Sequence, residues 1–88
     1  MTARTTGQVL ELVLKAIPHP HLIREIDLTH TDCINFTWRG IRFHVTVDFY
    51  VDEVQEHCWI GTPMAILLNQ VLKQAAIIES TRQFESTL

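Results

Sequence analysis

His44 has neighbours suited to acid–base chemistry. Arg42, His44, Asp48 and Tyr50 share the parity that puts residues on one face of an extended strand. If neighbouring strands bring Asp27 and Asn35 alongside, the three could orient His44 as a general base. Distance argues against it. Strands lie about 4.8 Å apart, so Asp27 and His44 stand two spacings from each other, beyond hydrogen-bond reach. An open sheet face also lacks the concavity that keeps water from a reaction. The expectation is a solvated polar face with no catalytic residue and a chain that is not an enzyme; Arg42, His44, Asp48 and Tyr50 remain as candidate ligand-binding positions.

Other chemistry is thinner. His19-Pro20-His21 could place two imidazoles together and His57-Cys58 could add a thiolate, but no spacing matches a structural zinc set, and no metal or cofactor is expected. Cys33 and Cys58 lack a secretory context and read as free thiols. Gly7, Gly40 and Gly61 are scattered and form no phosphate-binding loop. Gly61-Thr62-Pro63 reads as a helix cap, and no serine or cysteine sits in a nucleophile elbow.

Seven Lys and Arg against ten Asp and Glu give a formal charge of −3, which offers no general attraction to nucleic acid or an acidic membrane. The apolar stretch after the first six residues is broken by Glu11 and Lys15, unlike a secretory signal, and the one at 64–78 is too short to span a bilayer. A cytoplasmic location is expected. With 47% hydrophobic and 19% charged residues, the chain of 88 can build one core, near the lower size limit for folding without partners.

The elements that would position these residues follow from pattern. Thr5-Thr6-Gly7-Gln8 fits a capping box, and Pro18 ends the helix it starts near Ile17. Leu10, Val13, Leu14 and Ile17 make its expected core stripe, with Val9, Leu12 and Ala16 in excess. Period-two alternation marks strands at 22–29, 33–38 and from 41 onward. A two-residue turn at Arg39-Gly40 pairs Trp38 with Ile41, Phe36 with Phe43 and Ile34 with Val45, all on one face. The same face-matching sets Ile26 opposite Phe36 and Asp27 opposite Asn35. Thr62-Pro63 opens a second helix reaching Thr81 or Phe84, with Met64, Leu67, Leu68, Val71, Ala75 and Ile78 facing the core. The expected fold is α+β: α-β-β-β-α, a three-stranded antiparallel meander with both helices on one face. It forms a single domain over 1–88, with 1–4 and 85–88 frayed.

That element order resembles the double-stranded-RNA-binding domain. The resemblance is one of topology and implies recognition of RNA shape through lysines opening the last helix. Here Gly61-Thr62-Pro63-Met64-Ala65 stands at that place and the first lysine beyond it is Lys73, so nucleic acid is disfavoured as a partner.

Strand three outruns its partner, leaving 48–54 to be covered by a bend, by a short fourth strand at about 55–59, or by another subunit. Ile66, Lys73, Ile77 and Phe84 fall opposite the core stripe of the second helix. With Phe49 and Val51 they form the candidate interface, and this excess apolar surface points to a protein partner, a second copy first. The functional expectation is a non-enzymatic interaction or regulatory module acting as a homodimer. The alternatives are a small-ligand protein or enzyme using the polar sheet face or a dimer cleft, and, on topology alone, an RNA-binding module.

Overall fold

The computed structural model describes residues 5–86, with side chains as far as Thr81. Helix α1 spans Thr6–Ala16. The Thr5 N–H donates to Gln8 Oε1 (2.9 Å) and the Gln8 N–H to Thr5 Oγ1 (3.2 Å), the reciprocal box its sequence specifies. Ile17 is already extended before Pro18. Val9, Leu12, Val13 and Ile17 are buried, whereas Leu14 is exposed and Leu10 half-buried. The buried stripe is thus rotated from the expected one, and Val9 and Leu12 are core rather than surplus.

A 3₁₀ turn at Pro20–Leu22 leads into β1, Ile23–Asp27. Strands β2 (Cys33–Trp38), β3 (Ile41–Thr46), β4 (Val51–Gln55) and β5 (Cys58–Ile60) follow, and helix α2 covers Pro63–Ser86. The sheet is a five-stranded antiparallel meander in chain order, α+β in class, with two more strands than the minimal expectation. The β2–β3 register is as expected, from Trp38 opposite Ile41 to Ile34 opposite Val45. Positive φ at both Arg39 (53°) and Gly40 (80°) gives a type I′ turn whose twist suits the hairpin.

Two corrections concern the sheet. Asp27 does face Asn35, but the pairing of Ile26 with Phe36 is lost to a bulge between Arg24 and Asp27, where Glu25 has φ 53°. The extra residue shifts the alternation, so Ile23 takes the core position opposite Trp38 while Ile26 and Leu28 are exposed. Strand three does not run on past Thr46. Phe49 N–H donates to Thr46 O and Thr46 N–H to Tyr50 O, closing a turn, and β4 returns along β3 with Val51 opposite Val45 and Glu53 opposite Phe43. The following hairpin, β4–β5, turns at Glu56-His57, again with two positive φ values. The 48–54 segment is therefore covered from within the chain. Phe49 and Val51, expected at an interface, are each 6% exposed and belong to the core.

Both helices pack on the face carrying Ile34, Phe36, Trp38, Phe43 and Val45. Two polar contacts set the rotation of α2. Thr62 Oγ1 accepts the Ala65 N–H, capping the helix, and donates to the buried Glu53 carboxylate. Asn69 Oδ1 accepts the Val51 N–H at 3.1 Å. Both anchors lie on β4, so α2 turns Ala65, Leu68 and Leu72 inward. Met64, Val71 and Ala75 are half-buried, and Leu67 and Ile78, expected in the core, face outward.

Candidate functional site

The outer face of the sheet is not the open surface that parity suggests. Asn35 on β2 faces His44 on β3, which faces Asp52 on β4; Thr46 pairs with Cys33, and Trp59 on β5 pairs with Val54. The Trp59 ring reaches across and stacks on His44, with centroids 4.2 Å apart and planes 13° from parallel. His44 is left only 5% exposed, while Trp59 itself is 66% exposed. Between Trp59 and the β1–β2 loop runs a groove of about 490 Å³ over Cys33, Asn35, His44 and Thr46, with His30 and Asp32 on its far side.

Within it, His44 Nδ1 lies 3.0 Å from Asn35 Oδ1, so Nδ1 carries the proton and donates. That leaves Nε2 as an acceptor that no described residue engages and that is open to solvent, since no buried side-chain nitrogen or oxygen among the described residues lacks a partner. Burial pulls the His44 pKa below its ordinary 6.5; Asp52 and Asp32 oppose this through their charge and His30 reinforces it. The imidazole is neutral at pH 7. Burial, with Asp32 beside it, pushes the Cys33 thiol up, the wrong direction for a nucleophile. The groove is thus built to accept hydrogen bonds near negative charge.

Only part of the expected constellation is brought together. Arg42 shares this face, but its Nη1 donates to the Glu25 carbonyl (2.6 Å) and to Thr37 Oγ1 (3.2 Å), tying β3 to the β1 bulge. Asp27 serves its own loop, accepting from the Thr29 hydroxyl (2.6 Å) and N–H (2.9 Å), which hold its carboxyl below the ordinary value. Asp48 and Tyr50 lie in the turn after β3, away from His44. The Lys73 ammonium sits 4.0 Å above the Tyr50 ring, and Asp48 joins Phe49, Lys73 and Ile77 around a second cavity of about 390 Å³. His19 and His21 meet edge to face at 5.8 Å. Among the described residues no three His, Cys, Asp or Glu side chains gather as a metal site. The strand parity that selects His44 also contains Cys33 and Thr46. Trp59 needed the fifth strand, and His30 and Asp32 needed the loop conformation.

The expected interface residues also separate. Ile66 and Ile77 on α2 are 54% and 66% exposed, Leu67 and Ile78 beside them 52% and 51%, and Lys73 is half-buried. The Phe84 side chain lies outside the described residues. No helix among the described residues is long and apolar enough to cross a membrane. Comparison with protein families, with curated proteins and with solved structures found no match.

Proposed function

We propose that the chain is a non-enzymatic interaction module that assembles as a homodimer through the outward side of α2. The observation that carries this reading is the more-than-half exposure of Ile66, Leu67, Ile77 and Ile78 on one helix of a chain with a small core. Their spacing favours a second copy as the occupant. Ile66 and Ile77 end one seam and Leu67 and Ile78 end its neighbour, about three turns apart in each case. In an antiparallel pair each seam meets itself, Ile66 against the second copy's Ile77 and Leu67 against its Ile78. A C2 interface of this kind is self-complementary, and antiparallel helices also oppose their dipoles favourably. With 24 residues, α2 is about 36 Å long. A helix of that length is long enough to support an interface of about 800 Å² per partner, the size typical of stable complexes.

Light scattering at high micromolar concentration should give the mass of a dimer. Ile77→Lys should give a monomer with unchanged far-ultraviolet circular dichroism, because its side chain takes no part in the core. A wild-type protein that stays monomeric removes the reading.

A further inference from the structure

The groove on the opposite face of the sheet has features the dimer does not use. His44 is buried as a residue, neutral and fixed by Asn35 through Nδ1, and its Nε2, which no described residue engages, is the ring nitrogen left open to the groove. No buried side-chain nitrogen or oxygen among the described residues lacks a partner, so Nε2 is reachable from the groove, where a ligand N–H can take the place of water as its donor. Asp32 lines the same groove, and Asp52 follows His44 across the β3–β4 pair, so the local potential is negative, offset in part by His30. Trp59 offers a largely exposed indole, a surface suited to the flat or alkyl part of a cation. Two acceptors, a negative field and an aromatic wall complement a ligand that is positive and donates.

We propose that this groove binds a small organic cation bearing N–H donors, an alkylguanidinium or primary alkylammonium group, which donates to His44 Nε2 and the Asp32 carboxylate and packs its alkyl stem on Trp59. The same headgroup occurs on free amines and on lysine and arginine side chains. The pH dependence has a definite sign. Protonating His44 removes the acceptor and adds repulsion, so affinity falls as pH drops below the ordinary histidine range; Asp32, Asp52 and His30 are the charged groups that face this titration.

Nuclear magnetic resonance titration with butylguanidine tests the proposal, read at the Trp59 indole N–H with the buried Trp38 indole as internal reference. Saturable shifts at Trp59 with a dissociation constant of about 1 mM or tighter are expected. Asp32→Asn and His44→Phe should each weaken binding about tenfold, the phenyl ring preserving the stack while removing Nε2. Tetramethylammonium, which has the charge but no N–H, should bind at least about tenfold more weakly. A glycine-flanked arginine peptide distinguishes the sources: binding as tight as butylguanidine points to a partner's side chain, and binding of butylguanidine alone to a free small cation. Asp32 is exposed, so its variant keeps the test decisive if His44→Phe does not fold. Absence of saturable shifts, equal binding of tetramethylammonium, or unchanged affinity in Asp32→Asn overturns the proposal.

Discussion

His44 lies on a face that alternation assigns to solvent, and it is buried there because Trp59 folds over it from a strand two places away. Its folded pKa is below the ordinary 6.5. The unfolded chain therefore binds the proton more readily, and the group's contribution to stability is complete above pH 6.5 and lost as pH falls through and below that value. Asp27, also depressed from its ordinary 3.8, acts in a more acidic window, since its contribution is complete above pH 3.8 and lost as pH falls below that value. Between pH 7.5 and 5.5 the fall in urea midpoint should thus be reduced in His44→Gln, and an unchanged slope would assign it elsewhere. Thr62 is a second single-residue lever. Its hydroxyl both caps α2 and donates to the buried Glu53 carboxylate, so Thr62→Val should cost about 2 kcal/mol in chemical denaturation, and Thr62→Ser much less.

At the scale of elements, the β2–β3 hairpin was legible because two independent signals agree: matched apolar faces fix the register, and Gly40 supplies one positive φ of the turn. A Cβ on Gly40 would meet no atom within 4 Å, so the cost of Gly40→Ala is conformational alone, about 1 kcal/mol in thermal or urea unfolding. The segment after Thr46 was not legible in the same way. Its return depends on positive φ at Phe49, Glu56 and His57, none of them glycine, so the local turn signal is absent. The bulge at Glu25 is silent for the same reason, and it alone moved Ile26 from core to surface. Helix rotation was equally hidden. Apolar residues surround α2, and it is Thr62 and Asn69, reaching β4, that choose which of them face inward. For the site, parity identified His44 but could not place Trp59 above it.

At the scale of the whole molecule, a small core and an apolar outer helix belong to one problem. Ile66, Leu67, Ile77 and Ile78 are not needed to close the monomer, whose core is completed by Ala65, Leu68 and Leu72 on the other side of α2. Association would bury them and link stability to concentration, so the wild-type melting temperature should rise with protein concentration while that of Ile77→Lys stays constant. The orientation of the pair can be separated from its existence. In an antiparallel dimer position 66 meets 77 of the second copy, whereas in a parallel one each position meets its own equivalent. Ile66→Lys and Ile77→Glu should each disrupt the dimer by placing a charge where one copy's isoleucine packs on the other's. Combined in one chain, they set lysine against glutamate twice across an antiparallel interface but like against like across a parallel one. Recovery of the dimer mass in the double variant by light scattering, weakened by added salt, is the expected outcome. A double variant as monomeric as the singles would reject the antiparallel arrangement, even where the wild type is a dimer.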